Sequence, residues 1–139
     1  MQREVCIAAI GLIVSLSTSI SAQAGAIVVA RNSAIDAVNT EEARKIFLGR
    51  EAIVAGQPLT VIYNSDGATR AAFESRVLGK TGADLNTYWA KLIFTGKANA
   101  PVEASGDTAV KSKISSVPGA IGYISDAAID DSLKMLMKY

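Results

Sequence analysis

Six consecutive residues, 65–70 (SDGATR), have the side chains and the glycine needed to bind a small anion. They follow a run typical of a β-strand (PLTVIY) and precede a run with helical spacing. A strand that turns directly into a helix leaves backbone N–H groups unpaired at the helix start, where the helix dipole is positive. We call this segment the turn; its members are Ser65, Asp66, Gly67, Ala68, Thr69 and Arg70. The pattern predicts an oxyanion site.

The turn also has a purely structural interpretation. Asp66 or Ser65 can cap the helix, a contribution of about 1 kcal/mol, and Gly67 can relieve a tight corner. Arg70 places a positive charge near the positive end of the helix dipole, which is unfavourable. We therefore expect a compensating negative group, which is Asp66, Glu74 or a bound anion. A bidentate guanidinium suits phosphate, sulfate or carboxylate. The residues alone leave both interpretations open.

Composition excludes several kinds of chemistry. The chain has no histidine, so a serine–histidine triad and imidazole zinc sites are impossible. Its one cysteine, Cys6, lies in the N-terminal segment discussed next. Asp126, Asp130 and Asp131 lack the spacing of a calcium loop and are expected to solvate a turn. We therefore expect a protein that is not an enzyme and that needs no metal or cofactor.

Residues 1–24 have the layout of a secretory signal peptide. A short charged start precedes an apolar run, and the segment ends in Ala22-Gln23-Ala24, a small-residue cleavage pattern. Cleavage after Ala24 leaves 139 − 24 = 115 residues, a single domain over residues 25–139. We expect a periplasmic or secreted product without a membrane span. Without Arg3 and Glu4 it has 14 − 1 = 13 basic and 13 − 1 = 12 acidic side chains. This nearly neutral balance does not indicate binding to nucleic acid.

Strand and helix signals alternate along this domain. Strands are expected at residues 26–32, 59–63, 119–125 and 132–139, the last as an edge strand. Helices are expected at 40–49, capped by Thr40, and at 67–78, 82–96 and 107–116. Residues 51–58 read as irregular, and 95–107 as one long loop. The order predicts an α/β domain with a mainly parallel sheet flanked by helices.

Four segments in this order resemble a known family: EEARKIFLGR, LTVIYNSDGATRAAFESRVLG, YWAKLIFTGK and SSVPGAIGYIS. They are similar to type II periplasmic substrate-binding proteins, and among these to one lobe of the phosphate-binding proteins of ABC transporters and their small single-lobe relatives. The resemblance covers about residues 27–125. It implies one lobe of the two-lobed fold, and hence half of the usual ligand site.

The resemblance also implies where a ligand contacts the chain. Asp66 and Gly67 keep the family's pattern in the turn, whereas Asn64 stands where a basic residue is expected and Ala68 where a hydroxyl is expected. Second-tier candidates for the same pocket are Asn32 and Ser33, because open α/β sheets bind ligands at the carboxyl ends of strands. Tyr123 is either a core aromatic or a pocket wall.

Two functions follow as expectations. The first is an exported solute-binding module for phosphate or a related small oxyanion, linked to ABC-type uptake through a permease. The alternative is an accessory or structural periplasmic protein that keeps the lobe but binds a protein partner. Two lobes could also pair as a homodimer.

Overall fold

A five-stranded mixed sheet forms the centre of the domain. The structure, a computed structural model, describes residues 25–98 and 100–139. Its strands are β1 (Gly25–Ala30), β4 (Thr60–Asn64), β5 (Val102–Ala104), β6 (Ala120–Ser125) and β7 (Leu133–Lys138). They lie in the order β5-β4-β6-β1-β7. β4 is parallel to β5 and β6, whereas β1 is antiparallel to β6 and β7. Four strands therefore run one way and β1 runs the other way, which confirms the mainly parallel α/β prediction.

Helices cover both faces of this sheet. They are α1 (Thr40–Phe47), α2 (Gly67–Phe73), α3 (Gly82–Phe94) and α4 (Asp107–Ser116). α2 continues into a π-helical turn, Glu74–Leu78, and the combined helix ends at Gly79, whose φ of +65° suits glycine. The four predicted helices are confirmed, and the prediction for residues 67–78 spans α2 and its π-helical extension.

Alternate residues of the strands face two separate cores. Ile27 and Val29 of β1 join the larger core with Phe47, Phe73 and Trp89, which come from α1, α2 and α3. The other face forms a smaller core against α4; its members include Ala26, Val28, Ile62, Val110, Ile114 and Ile124. Because β1 is buried on both faces, its sequence is continuously apolar. This three-layer arrangement fixes the edges of the sheet at which polar side chains can collect.

Three details of the sequence prediction were wrong. Asn39 caps α1: its side chain accepts from the Glu42 N–H at 2.9 Å, while Thr40 is the first helical residue. Residues 51–58 contain a short hairpin, β2 (Ile53–Val54) with β3 (Gln57–Pro58). The stretch predicted as one long loop contains β5, whose three residues are too few to give a periodic signal and which pairs with β4.

None of the described helices combines the length and the apolar character needed to cross a lipid bilayer. The predicted signal peptide, residues 1–24, lies outside the described residues.

Candidate functional site

The turn lies at the carboxyl end of β4, beside the ends of its two parallel neighbours. β4 ends at Asn64, and its partners β5 and β6 end at Ala104 and Ser125. Because parallel strands end at the same edge of a sheet, the segments that follow all three strands meet there. The turn occupies the middle of that edge.

Asn64 holds this edge together, a role that the sequence analysis did not assign to it. Its amide is fully buried; Oδ1 accepts from the N–H of Asp66 at 2.9 Å and of Gly106 at 3.2 Å. Its Nδ2 donates to Oδ1 of Asp107 at 3.0 Å, and Asp107 also accepts from Ser125 N–H at 3.0 Å. An asparagine followed by a turn is a local signal for the first of these bonds. The bonds to residues 42 and 43 positions away have no local signal.

Asp66 caps the helix that begins at the turn. Its Oδ2 accepts from Thr69 N–H at 3.2 Å, and its carbonyl accepts from Arg70 N–H at 2.8 Å. Ser65 faces β5 instead, since both its N–H and its hydroxyl donate to Ala104 O, at 2.9 and 3.2 Å. The structural interpretation of Asp66 as a cap is therefore confirmed.

Two N–H groups at the start of α2 stay open. Gly67 and Ala68 are exposed, and within the described residues their N–H groups donate to no protein acceptor. The N–H of Thr69 is taken by Asp66, and its side chain is buried. The turn thus offers two adjacent backbone donors to solvent, next to one carboxylate.

Arg70, the last residue of the turn, lies between two acids. Its Nε donates to Oε1 of Glu74 at 2.8 Å, and its Nη1 to Oε1 of Glu103 at 3.2 Å. The Glu74 side chain is 9% exposed and that of Glu103 is 59% exposed. The guanidinium carbon lies 5.8 Å from the centroid of the Tyr63 ring, within cation–π range. The hydrogen bond that Arg70 donates to Glu74 raises the pKa of Arg70, although burial opposes this effect.

The structure does not bring the second-tier candidates to the turn. Asn32 and Ser33 follow β1, which is antiparallel to β6, so they lie where the parallel strands begin. There they line a hollow of about 260 Å³ with Gln57 and Gly119. The expectation of a shared pocket was wrong, because it assumed that β1 runs parallel to β4.

Tyr123 belongs to the core. It is 1% exposed, its ring stacks on that of Phe73 with centroids 3.8 Å apart, and its hydroxyl donates to Asn64 O at 3.0 Å. Burial raises its pKa well above the ordinary value. Of the two alternatives for Tyr123, the structure selects the core aromatic, which supports the turn from beneath.

The C-terminal aspartates pair with lysines. Asp126 lies 3.1 Å from Lys138 Nζ, and Asp130 lies 2.6 Å from Lys111 Nζ. Bonds from Lys111 and Ser132 lower the pKa of Asp130 to about 2. In the part of the chain that the structure describes, no group of three His, Cys, Asp or Glu side chains is arranged to hold a metal ion.

Several solved structures have the same fold as this chain. One is described as a phosphate ABC transporter substrate-binding protein from Clostridium perfringens with bound phosphate; it is 21% identical, with a TM-score of 0.64, over 82% of this chain and 44% of that one. An ABC-type phosphate transport receptor from Vibrio cholerae is 20% identical, with a TM-score of 0.65, over 83% and 46%. PstS from Borrelia burgdorferi is 16% identical, with a TM-score of 0.56, over 82% and 47%. No protein-family model matches the chain.

These similarities show the fold of a single lobe. The chain spans less than half the length of each of the three proteins, so it corresponds to part of their architecture. At such identities the match carries no residue-by-residue information about a ligand.

Proposed function

We propose that the chain is an exported solute-binding lobe that recognises phosphate or a related small oxyanion at the turn, in connection with ABC-type uptake. The observation that carries this proposal is the pair of open N–H groups, on Gly67 and Ala68, at the carboxyl edge of the sheet and at the start of the helix that also carries Arg70. The fold supports it, because its neighbours include a phosphate-bound transport protein. Those neighbours are binding and transport proteins, which argues for a binding role and against an enzyme.

Binding uses the backbone donors and the guanidinium together. An oxyanion accepts from Gly67 and Ala68 N–H, where the helix dipole is favourable. Arg70 keeps its buried bond to Glu74 and turns its Nη1 from the exposed Glu103 to the ligand. One guanidinium can then bind an acid through Nε and an anion through its outer nitrogens.

Asp66 sets which anion is accepted. Its carboxylate lies at the helix start and repels a fully ionised oxyanion, whereas a protonated oxyanion can donate a hydrogen bond to it. Hydrogen phosphate carries such a proton at neutral pH and sulfate does not. The proposal therefore favours phosphate over sulfate.

The test is calorimetry on the folded chain after exhaustive dialysis, with phosphate, sulfate and acetate titrated separately. Saturable binding of phosphate that is abolished in Arg70→Ala and weakened in Asp66→Asn is the expected result. A matched control is Arg50→Ala, an exposed arginine outside the turn, which should bind like the parent. Absence of heat with all three anions, in a protein shown to be folded by circular dichroism, overturns the proposal.

A second candidate is the accessory protein that binds a partner through this lobe. It is favoured by the state of the turn, where Asp66 already takes one helix N–H and Arg70 already has two acids. The chain also spans less than half of its structural neighbours, so a partner or a second copy could complete the site. Light scattering after size exclusion tests the homodimer. Neighbouring permease and ATPase genes favour uptake, and neighbouring porin or sensor genes favour the accessory role.

A further inference from the structure

The hydroxyl of Tyr139 is buried without a hydrogen-bond partner. Among the described residues it is the one side-chain nitrogen or oxygen in that state. The ring is held against Phe73, with centroids 5.5 Å apart and the planes at 63°. Leaving a buried hydroxyl unpaired is unfavourable, so such a group in a native protein calls for a specific explanation.

The first residue of β1 lies close to this hydroxyl. Gly25 N–H donates to Tyr139 O at 3.2 Å, and Tyr139 N–H donates to Gly25 O at 3.0 Å. A Cβ built on Gly25 would lie 2.7 Å from Cε2 of Tyr139 and closer still to its hydroxyl. Because a Cβ lies about 2.5 Å from the nitrogen of its own residue, the hydroxyl is less than about 5.2 Å from Gly25 N. Glycine at position 25 makes this approach sterically allowed.

Gly25 follows Ala22-Gln23-Ala24, the pattern expected of a signal-peptide cleavage site. We propose that a peptidase of the exported compartment hydrolyses the Ala24–Gly25 bond, and that the α-ammonium group this creates on Gly25 is the missing partner of the Tyr139 hydroxyl. Water supplies the hydroxyl of the new Ala24 carboxyl group and a proton to the Gly25 amine. The amine gains another proton from solvent.

An ammonium can satisfy both neighbours where an amide cannot. The amide of an unprocessed chain has one hydrogen, which is already donated to Tyr139 O. The ammonium has three, so one can go to the carbonyl and another to the hydroxyl oxygen. Asp107 also favours this positive charge. Its carboxylate accepts from the N–H of Ser125, which is the β6 residue paired with Gly25 of β1.

Two charged side chains on neighbouring elements affect the ionisation of Tyr139. Asp107 of α4 raises the pKa of Tyr139, after the larger effect of burial, and Arg76 of the π-helical turn lowers it. The Asp107 carboxylate favours the ammonium and the Arg76 guanidinium disfavours it. A hydroxyl that accepts from the α-ammonium favours its charged form over the neutral amine.

The same geometry sets the order of processing and folding. β1 is an inner strand, hydrogen-bonded to β6 on one side and β7 on the other, and Gly25 is buried. A peptidase binds an extended segment on both sides of the bond that it cuts, commonly by strand addition. No strand edge is available at Gly25 once β1 is in the sheet, so cleavage precedes folding.

The test compares Tyr139→Phe in two backgrounds: the processed chain, residues 25–139, and the full chain, residues 1–139. In the processed chain the substitution should increase the unfolding equilibrium constant about tenfold or more, because a bond to a charged group is lost. In the full chain it should leave that constant unchanged or lower it, because an unpaired hydroxyl is removed. An equal effect in both backgrounds overturns the proposal.

Two further measurements do not depend on that variant. Mass spectrometry of the exported protein should give Gly25 as the first residue, and any other first residue overturns the proposal. The bond to the hydroxyl stabilises the charged amine, so relative to Tyr139→Phe it contributes stability below the ordinary pKa of an α-amino group, about 7.7–8.0, and that contribution is lost as the pH rises above this value. The difference in the free energy of unfolding between the processed parent and its Tyr139→Phe variant should therefore shrink above pH 8 to 9. A difference that stays constant with pH argues against an ammonium partner.

Discussion

Arg70 and Glu74 form an i, i+4 ion pair, 2.8 Å long, at the junction of α2 with its π-helical extension. The acid is almost completely buried, while a quarter of the arginine side chain remains exposed. This pair resolves the conflict between Arg70 and the helix dipole, because the buried carboxylate compensates a cation placed near the positive end. It also fixes the guanidinium by Nε and leaves the outer nitrogens at the surface.

The weaker contact of Arg70 is the one that a ligand must replace. Glu103→Gln removes the carboxylate that competes for Nη1, so phosphate should bind about two- to fivefold more tightly, in line with the modest strength of exposed ion pairs. Calorimetric titration of the folded variant measures this change. Glu41→Gln is the matched control, since Glu41 is an exposed acid paired with Lys45 on α1. Unchanged affinity in Glu103→Gln would show that Glu103 does not compete, whereas absence of binding in every protein would refute the phosphate site itself.

Acid stability should depend on Asp130. Its pKa is about 2 in the folded chain, below the ordinary value of 3.8, because Lys111 and Ser132 donate to the carboxylate. The stabilising contribution is therefore complete above pH 4 and is lost as the pH falls through 2. Asp130→Asn should flatten that part of the stability profile, measured as urea midpoints between pH 2 and 5.

The neighbouring acid is a matched control for this effect. The Asp131 carboxylate has no partner among the described residues, so Asp131→Asn removes one negative charge without breaking a contact such as that between Asp130 and Lys111. If both substitutions flatten the profile equally, general charge reduction explains it and the Lys111 contact does not.

The sequence predicted the regular elements well because each has a local signal. The apolar spacing in α3 and Gly79 at the end of the π-helical turn identify helices without tertiary information. β5 could not be found this way, since its three residues are stabilised by pairing with β4 instead of by their own composition.

The same distinction applies to the candidate site. The Asp66 cap accepts from an N–H only three residues along the chain and was predictable. The bonds of Asn64 to Gly106 and of Arg70 to Glu103 join residues 42 and 33 positions apart. Only the packing of β5 and α4 beside β4 brings these partners together. The direction of β1 likewise follows from the assembled sheet, which is why Asn32 and Ser33 were misplaced.

The hydroxyl of Tyr63 connects three elements under the site. It donates to Phe47 O, at the end of α1, and accepts from Trp89 Nε1 of α3 at 3.1 Å. Tyr63→Phe leaves both groups buried and unpaired, so the free energy of unfolding should fall by about 2–4 kcal/mol. Urea unfolding of the variant measures this loss.

Tyr88→Phe serves as the comparison for Tyr63. The Tyr88 hydroxyl donates to Leu48 O at 2.6 Å but its side chain is only half-buried, so water can replace it. The expected loss is about 1 kcal/mol. Similar losses in the two variants would contradict the view that the Tyr63 hydroxyl joins α1 and α3 in a dry core.

Gly122 of β6 lies in close contact with α4. A Cβ at this position of β6 would lie 2.9 Å from Val110 Cγ1 and 3.4 Å from Ile62 O. Gly122→Ala should therefore push α4 away from the strands and lower the free energy of unfolding by about 1–3 kcal/mol. Gly67→Ala, where a Cβ meets no atom within 4 Å, is the control and should be neutral or slightly stabilising.

Because α4 holds Asp107 against Asn64, Gly122→Ala should also disturb the turn, visible as shifted amide resonances of residues 65–70. Loss of stability without such shifts would mean that the carboxyl edge does not depend on the packing of α4.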